Sequence, residues 1–400
     1  MTKAQTFDIA VVGAGVFGAW TAYQLSQAGA AVVLLDAYGP GNSRASSGGE
    51  SRIIRMGYGA DEGYTRSAQR SLVRWRELFD RVEAPRKFSN PLANDRRLSF
   101  PLFQATGVLW LARERDPYCD ATLGTLQRAG VPFEKLQHDE LSRRYPQLEL
   151  GPVARGILEP NSGVLMARQA VQAVTRQAVA TGTIYLEEAV LSPHGHGKLE
   201  SVTTVNGKEI RADKFVFACG PWLPKLFPEL LSDLIHITRQ EVFFFGVPAG
   251  DERFMPERLP VWVDFNDLAY SIPNVDTRGL KIGIDAHGPK FDPDTGERLT
   301  SAAGLTAARS YLAQRVPLLT NAPVMETRVC QYENTSTGDF LIDRHPDFEN
   351  VWLAGGGSGH GFKHGPAVGE YVAAMISGEA KFEPRFVLAT KEKVQRRKVF

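Results

Sequence analysis

The stretch FDIAVVGAGVFGAWTAYQLSQAGAAVVLLDA, residues 7–37, decides the fold of this 400-residue chain. The apolar run from Ile9 to Val12 is typical of a short buried strand, and a glycine-rich turn follows it. Residues 19–27 have helical periodicity, and the apolar run 31–35 predicts a second strand, which ends in Asp36. Strand, turn, helix and strand in this order predict a parallel βαβ unit, and therefore an α/β protein with a Rossmann-like domain.

The turn after the first strand carries glycines in GxGxxG spacing. Gly13 permits the tight turn, Gly15 lets the backbone approach a pyrophosphate, and Gly18 lets the helix pack closely on the strand. Asp36 stands where a carboxylate accepts hydrogen bonds from ribose hydroxyls. The pattern predicts a dinucleotide site, and it leaves NAD and FAD both open.

Composition excludes several classes of protein. With 43% hydrophobic and 23% charged residues, the chain is an ordinary globular protein that is long enough for two domains. A formal net charge of +1 provides no global field that would attract nucleic acid or an acidic membrane surface. The first strand begins within a few residues of the N-terminus, so we expect no signal peptide, and no apolar run approaches membrane-spanning length.

The cysteines bear on the cellular compartment and on metal binding, and the C-terminal charges bear on partner binding. Cys119, Cys219 and Cys330 are too widely spaced for a disulfide framework or a metal motif, which favours a reducing cytoplasm and predicts no metal site. The basic run from Lys391 to Lys398 is interpreted as solvated charge on a frayed tail rather than as a binding patch.

The middle of the chain differs from its two ends. Apolar stretches between residues 240 and 284 predict strands with little helix between them, whereas the chain from Val351 onward returns to strand, glycine turn and helix. We therefore predict a discontinuous nucleotide-binding domain with an inserted β-rich substrate domain of mixed sheet. The nucleotide-binding domain is assigned to residues 1–83, 155–232 and 325–385, the inserted domain to 84–154 (with a loop at 84–102) and 233–324, and the tail to 386–400.

Four stretches together resemble the D-amino-acid-oxidase-like superfamily of flavoenzymes, and within it the family of monomeric sarcosine, N-methyltryptophan, pipecolate and fructosyl-amino-acid oxidases. These stretches are GAGVFGAWTAYQLSQAG, SSGGESRIIR, VCQYENTSTGDFLIDRHP and AGGGSGHGFK. The resemblance covers almost the whole chain apart from residues 84–102, where this protein looks longer. It implies that the dinucleotide is FAD.

The resemblance also implies that the flavin is bound covalently through Cys330. The alternative is that Cys330 is a small hydrophobic residue of a buried strand. Cys119 and Cys219 lack the matching context and are interpreted as packing residues. Further cofactor contacts are implied for Ser46, Ser47, Arg52, Gly357, Gly359, Gly361 and Lys363.

Two cations are implied to hold a substrate carboxylate, namely Arg55 and Lys363. The alternatives are a surface salt bridge for Arg55 and a helix-end charge for Lys363, although a lysine at a helix N-terminus opposes the macrodipole. Lys281 matches the lysine that promotes reaction with oxygen, and its alternative is a solvated lysine on an edge strand. Tyr270, together with Lys281 and Arg52, is assigned to the catalytic residues.

Tyr270 and Tyr332 are both expected to border the substrate. One departure from the family lies four residues after Lys281, where sarcosine oxidases carry a histidine and this chain has Asp285. A carboxylate attracts a cationic amine, so Asp285 puts sarcosine itself in doubt as the substrate and favours a larger or more basic amine. A second possibility is that nearby His287 takes the place of the histidine.

The function that this resemblance implies is FAD-dependent oxidation of a secondary amine that bears a carboxylate, giving an imine, with reoxidation by O₂ giving H₂O₂. A flavin dehydrogenase that passes electrons to a carrier is the alternative within the same class. A nicotinamide-dependent reductase and a flavin-binding protein without catalysis are alternatives from other classes. We expect a cytoplasmic monomer whose partners are a small amine and O₂, with no nucleic acid and no membrane.

Overall fold

The computed structural model describes residues 6–83 and 101–396 of the chain. Residues 84–100 of the predicted loop, and the last four residues of the predicted tail, lie outside the described residues. Within the described part of the chain, strands and helices form three sheets with helices packed on their faces. The predicted α/β class with a Rossmann-like domain and a β-rich mixed second sheet is confirmed.

The strands are β1 (Thr6–Val12), β2 (Val32–Asp36), β3 (Arg52–Ile54), β4 (Phe103–Gln104), β5 (Val108–Ala112), β6 (Glu134–Gln137), β7 (Arg155–Glu159), β8 (Gly163–Leu165), β9 (Ile184–Glu187), β10 (Ser201–Thr203), β11 (Glu209–Phe217), β12 (His236–Phe245), β13 (Val261–Asp264), β14 (Ala269–Ile272), β15 (Leu280–Ile284), β16 (Val324–Asn334), β17 (Leu341–Arg344) and β18 (Val351–Gly355). The α-helices are α1 (Val16–Gln27), α2 (Glu62–Glu83), α3 (Pro117–Arg128), α4 (His138–Arg144), α5 (Ala167–Ala180), α6 (Leu223–Leu226), α7 (Pro228–Leu231), α8 (Ala302–Arg315) and α9 (Gly365–Ser377).

The first sheet has the strand order β17-β18-β11-β1-β2-β9, and β10 pairs with β11. Strands β9, β2, β1, β11 and β18 run parallel. β1 is a central strand, with β11 on one side and β2 on the other, and its side chains pack into apolar clusters on both faces of the sheet. Its sequence is apolar for this reason, and Ala10 and Val11 are fully buried. The carboxyl ends of β1 and β2 meet at one edge of the sheet, so the glycine turn after β1 lies beside Asp36.

Helix α1 packs on this sheet against α5 and α9. Its close approach depends on Gly18, where a Cβ would clash with the carbonyl oxygen of Gly13. Gly13 itself has φ +103°, a left-handed conformation that favours glycine. The sequence assigned both of these roles correctly, because they follow from the local geometry of the βαβ turn.

The second sheet has the strand order β16-β12-β15-β14-β13-β5-β7-β6, and all of its pairs are antiparallel except β13 with β5. Alternation along β15 separates two environments. Leu280 and Ile282 pack in an apolar core that includes residues of α8, whereas Lys281 points to the other face. β16 forms a long ladder with β12, from His236 opposite Asn334 to Phe245 opposite Val324.

Two strands lie in this second sheet although the sequence assigned their residues to the nucleotide-binding domain, namely β7 and β16. The exact domain boundaries stay a prediction. β16 therefore belongs to the second sheet, but its residues also contact the glycine turn that follows β18 of the first sheet. The hydrogen bond from Gly357 N to Glu333 Oε1 is one such contact.

The C-terminal segment is packed rather than frayed as far as Arg396. Lys391 is buried, and its Nζ donates to the Arg385 carbonyl oxygen at 2.6 Å. Arg396 N donates to Ser336 O at 2.9 Å. The expectation of a fully solvated basic run is therefore wrong for Lys391, because the segment that carries it is hydrogen-bonded to the rest of the protein and buries this side chain. Among the described residues, no helix combines the length and the apolar character needed to cross a bilayer.

Candidate active site

A cavity of about 410 Å³ lies at the carboxyl ends of β1 and β2, and we call it the glycine-lined cavity. Its volume is within the range of about 300–1,000 Å³ that is typical of ligand pockets. The predicted cofactor residues on its wall are Gly13, Gly15, Asp36, Ser46, Ser47, Arg52, Cys330, Gly357, Gly359 and Gly361. The structure thus gathers residues from both ends of the chain around one cavity.

The wall near β2 is suited to a nucleotide. Asp36 Oδ2 accepts from Ala14 N at 2.7 Å, and Asp36 Oδ1 accepts from Tyr38 N at 2.9 Å. Burial raises the pKa of Asp36, and these backbone donors oppose the shift. Val16 N, at the start of α1, donates to Ser47 Oγ at 3.1 Å. The first turn of α1 and Asp36 thus lie at one edge of the cavity, at the positions that bind the phosphates and the ribose in a dinucleotide-binding βαβ unit.

A second cavity of about 100 Å³ adjoins the first, and we call it the cation-lined cavity. Its charged wall residues are Glu50, Arg52, Arg55, Glu241, Lys281, Asp285, Arg328 and Lys363. The residues that line both cavities are Ala45, Arg52, Cys330, Tyr332, Gly359 and Phe362. The two cavities therefore meet at Arg52 and Cys330.

Arg52 connects this shared wall to the loop before it. The short sheet β3-β8-β4 holds β3, on which Arg52 lies opposite Leu165. Its Nη2 donates to Ser46 O at 2.6 Å and to Cys330 Sγ at 3.3 Å, and its Nη1 donates to Ser51 O at 2.8 Å. The guanidinium is thus oriented by backbone carbonyls and directed at the sulfur.

Arg55 and Lys363 converge on Tyr58. Arg55 is 5% exposed, and its Cζ lies 4.6 Å from the centre of the Tyr58 ring and 4.8 Å from that of Trp110. Lys363 Nζ donates to Tyr58 Oη at 2.9 Å and to the His360 carbonyl oxygen at 3.0 Å. Two cations separated by 308 positions in the sequence are thus held by one aromatic ring.

The orientation of the Tyr58 hydroxyl is set from its other side by His364. Tyr58 Oη lies 2.7 Å from His364 Nε2, and Ser67 Oγ lies 2.9 Å from His364 Nδ1. Burial, assisted by the charges of Lys363 and Arg55, lowers the pKa of His364 well below its ordinary value. Nε2 of a neutral imidazole accepts a hydrogen bond from the Tyr58 hydroxyl, so that the oxygen lone pairs face Lys363.

Lys281 lies on β15 and is 2% exposed. Its Nζ donates to Ser51 O at 3.1 Å, and burial, followed by the nearby charge of Arg52, lowers its pKa to about 7. Tyr270 on β14 lies opposite Gly283, and its ring covers the position that a Cβ there would occupy. Lys281 is therefore a buried amine and not the solvated edge-strand lysine of the alternative interpretation.

Asp285 and Tyr332 form a hydrogen-bonded pair at the border of the two cavities. Tyr332 Oη donates to Asp285 Oδ1 at 2.8 Å, and Asp285 is 8% exposed. Burial, and then the negative charge of Asp285, raise the pKa of Tyr332 well above its ordinary value. The pair presents a carboxylate, held by a phenol, to any ligand of the cation-lined cavity.

Comparison with known proteins identifies this arrangement. Residues 8–375 match the family model described as FAD dependent oxidoreductase. The chain belongs to this family of FAD-dependent oxidoreductases.

This oxidoreductase is similar to enzymes of amine oxidation. It is 30% identical over 395 residues to a monomeric sarcosine oxidase of Bacillus sp. (strain B-0618), covering 94% of each chain. It is 26% identical over 378 residues to an N-methyl-L-tryptophan oxidase of Citrobacter koseri, covering 94% of this chain and 95% of that protein. The crystal structure of L-proline dehydrogenase from P. horikoshii has the same fold, with a TM-score of 0.78, 22% identity, and coverage of 96% and 97%.

The residues of the glycine-lined cavity fit FAD. Gly13 has a backbone that other residues rarely adopt, α1 begins at the cavity, and Asp36 lies at the nucleoside end. Cys330 and Arg52 lie at the border with the cation-lined cavity, where a flavin ring would face a substrate. The residues between the turn after β1 and strand β16 are therefore the ones that would hold the cofactor.

Two predicted cofactor residues lie off the wall of this cavity. Gly18 serves the packing of α1 on β1, and Lys363 lines only the cation-lined cavity. Cys219, interpreted as a packing residue, lines the glycine-lined cavity, where its Sγ donates to Val12 O at 3.3 Å. Burial raises the pKa of the Cys219 thiol.

Sequence reasoning missed several residues that shape the site. Glu159 is 1% exposed and accepts from Met56 N at 2.7 Å, Gly57 N at 2.9 Å and Trp110 Nε1 at 2.8 Å. It thereby fixes the backbone that follows Arg55. A signal for Tyr58 was present, because it lies three residues after Arg55 in SRIIRMGY, but Glu159 comes from a distant strand and carries no such signal.

Proposed function

We propose that this protein oxidises a secondary amine that bears a carboxylate, with FAD as its cofactor. The observation that carries the proposal is the convergence of Arg55 and Lys363 on Tyr58 in the cavity that adjoins the cofactor site. An amino-acid derivative such as an N-methyl or cyclic imino acid has the required charge. The names of the relatives support the same class of substrate.

Arg55 and Lys363 bind the carboxylate in this proposal. Both side chains are 5% exposed, and a charge-assisted hydrogen bond is stronger in such a desolvated place than a neutral one. Tyr58 Oη accepts a hydrogen bond from Lys363 Nζ and its ring faces Arg55, so Tyr58 keeps both cations in position before the substrate binds. This preorganisation lowers the entropy cost of binding.

Asp285 contacts the amine in this proposal. Its carboxylate, oriented by Tyr332 at 2.8 Å, lies on the same cavity wall as the carboxylate-binding pair. A substrate whose nitrogen carries positive charge is attracted there, and Asp285 accepts its N–H hydrogen bond. The position therefore favours basic amines over sarcosine.

FAD, when bound, would take the hydride equivalent from the C–H bond next to nitrogen once the amine has lost its extra proton; the resulting iminium would lose its N–H proton to give the imine, and O₂ would take two electrons and two protons to give H₂O₂. The contribution of the protein is to hold the substrate in one orientation and to exclude water. Tyr270 and Tyr332 form apolar walls that restrict the amine.

Lys281 is proposed to promote the reaction with oxygen. Its ammonium, when charged, stabilises negative charge that develops on oxygen inside a dry cavity. Ser51 O at 3.1 Å holds the Lys281 Nζ on the wall of the cation-lined cavity.

Cys330 is proposed to bind the flavin covalently. Its Sγ lies on the wall shared by the two cavities, and Arg52 Nη2 lies 3.3 Å away. A guanidinium there stabilises the negative charge that a sulfur nucleophile carries when it attacks an electrophilic carbon.

A flavin dehydrogenase is the second candidate function, and one observation favours it. Burial lowers the pKa of Lys281 to about 7, so that a large fraction of the amine is neutral at neutral pH. A neutral amine promotes oxygen reduction less than a cation does. Mixing the anaerobically reduced protein with air distinguishes the two functions, since only the oxidase is reoxidised within seconds.

The remaining parts of the proposal concern the state of the protein in the cell. We infer a monomer in the cytoplasm whose partners are the amine and O₂, without nucleic acid or membrane. Size-exclusion chromatography with light scattering tests the monomer, because a dimer doubles the measured mass.

The test of the proposed function is anaerobic bleaching of the flavin by a panel of amines. The panel contains sarcosine, N-methyl aromatic amino acids, L-pipecolate, L-proline and a fructosyl amino acid, each beside its decarboxylated analogue. We expect at least one carboxylate to bleach the flavin at a KM at least about 10-fold lower than its analogue does. Equal bleaching by acid and analogue would contradict the proposed carboxylate site.

A further inference from the structure

Two buried oxygen atoms on β16 lack a hydrogen-bond partner among the described residues, and both belong to side chains that line the glycine-lined cavity. They are Gln331 Oε1 and Glu333 Oε2, on side chains that are 1% and 8% exposed. A buried acceptor without a donor is unfavourable, so a pair of them in a ligand cavity indicates that the ligand supplies the donors.

The other polar atom of each side chain is already held by the protein. Gln331 Nε2 donates to Arg44 O at 2.7 Å, so the amide directs its oxygen away from that loop. Glu333 Oε1 accepts from Gly357 N at 3.2 Å, which leaves Oε2 for another donor. The two residues are alternate positions of one strand, about 7 Å apart, and therefore lie on the same face.

The chemistry of the missing donor follows from the charges. Burial raises the pKa of the Glu333 carboxyl to about 7, and the groups responsible include no cation. A phosphate would be repelled by a carboxylate and offers no proton to the Gln331 amide oxygen. Hydroxyl groups on neighbouring carbons satisfy both acceptors without adding charge.

The position along the cofactor cavity selects which hydroxyls these are. Asp36 lies at the nucleoside end, whereas Cys330, three residues before Glu333 and about 10 Å away along the strand, lies at the flavin end. Glu333 Oε2 also lies close to Gly220 and Gly355, beside the turn after β11 and the end of β18. The part of FAD between its ring and its phosphates is the ribityl chain, which carries adjacent hydroxyls.

We propose that Gln331 and Glu333 bind the ribityl hydroxyls of FAD and form the polyol subsite of this cofactor cavity. The inference rests on the FAD family of the chain and is independent of which amine is oxidised. In this proposal β16 contacts the cofactor with both of its faces. Cys330 lies on the face toward the flavin ring, and Gln331 and Glu333 lie on the face toward the ribityl chain.

The test measures FAD affinity by quenching of flavin fluorescence in full-length protein that carries Cys330→Ala, so that the flavin exchanges. The ligands are FAD and FAD analogues that lack one ribityl hydroxyl each. We expect the Cys330→Ala protein to bind FAD about 10-fold more tightly than at least one analogue. Adding Glu333→Met should abolish that difference, because the affinity for FAD falls while the affinity for the analogue that lacks the contacted hydroxyl stays the same.

Matched variants separate a hydroxyl contact from a general loss of structure. Glu333→Gln keeps an acceptor oxygen and should retain most of the discrimination between FAD and the analogue. Gln331→Met should abolish the discrimination against the analogue that lacks the neighbouring hydroxyl. Asp36→Asn should lower the affinity for FAD and for all analogues by one common factor, since Asp36 would act at the nucleoside end of the cofactor. Equal binding of FAD and every analogue by the Cys330→Ala protein would overturn the proposal without any variant of Glu333, and so would unchanged discrimination in Glu333→Met.

Discussion

Arg52 Nη2 lies 3.3 Å from Cys330 Sγ, although the two residues are 278 positions apart in the chain. The contact joins strand β3 to strand β16 at the wall shared by both cavities. A cation next to the sulfur supports the proposed covalent attachment of a flavin at Cys330. The relationship leads directly to a first prediction.

Cys330→Ala should yield a yellow protein whose flavin is released by acid precipitation, whereas the flavin of the unmodified protein should stay with the pellet. Arg52→Gln should give slower and incomplete attachment, because the charge beside the sulfur is lost. Cys219→Ala is the matched control, since Cys219 lines the same cavity without the arginine contact. Flavin retained by Cys330→Ala would show that the linkage is elsewhere.

Lys281→Met should slow reoxidation of the reduced flavin by at least about 10-fold and leave anaerobic reduction nearly unchanged. Lys281→Arg, which keeps the charge, should retain more of the oxygen reaction. The pKa of Lys281 is lowered to about 7, so the charged form dominates below that pH and disappears above it. Reoxidation should therefore slow as the pH rises through about 7. Stopped-flow absorbance separates the two half-reactions, and an equal effect on both contradicts the role.

Lys363→Met and Arg55→Gln should each raise KM for the carboxylate substrate by roughly 10- to 100-fold, since a hydrogen bond to a charged group contributes about 1.5–3 kcal/mol. Tyr58→Phe should raise it less, because it removes only the hydroxyl that orients Lys363. The decarboxylated analogue provides the control, as its KM should be nearly the same in all four proteins. A parallel loss with acid and analogue would indicate a structural effect.

Asp285→Asn should lower the preference for basic amines and weaken binding of a cationic substrate, because the carboxylate that faces its nitrogen is neutralised. Asp285→His should shift the ratio of kcat/KM toward sarcosine. Tyr332→Phe is the companion variant, since it keeps the carboxylate and removes the hydroxyl that orients it. The prediction fails if Asp285→Asn changes kcat/KM for charged and neutral amines by the same factor.

Glu159→Leu should lower the thermal midpoint by several degrees, because the carboxylate accepts two backbone and two side-chain hydrogen bonds and its loss leaves buried donors unpaired. Differential scanning fluorimetry of the holoprotein measures the shift. Glu257→Leu, at an exposed position, should change the midpoint little. Equal midpoints for the two variants would mean that Glu159 is not needed to hold the backbone after Arg55.

The sequence by itself determined the βαβ unit, its glycine turn and the backbone and packing roles of Gly13 and Gly18, whereas the ribose-binding role of Asp36 stays a prediction. These features depend on neighbours within about 30 residues, where hydrophobic periodicity and glycine geometry are sufficient. The family resemblance added Arg55, Lys281, Cys330 and Lys363 as site residues, and the structure brings all four to two adjoining cavities.

Only the tertiary structure decided how those residues are held and what their surroundings do to them. Glu159 reaches the backbone after Arg55 from another sheet, and Tyr58 meets Lys363 across 305 positions, which no local pattern encodes. The lowered pKa of Lys281 comes from burial, and the unpaired oxygens of Gln331 and Glu333 lie on side chains of β16 that line the glycine-lined cavity. Desolvation and hydrogen-bond satisfaction are properties of the folded environment, so they become visible only when distant segments are packed together.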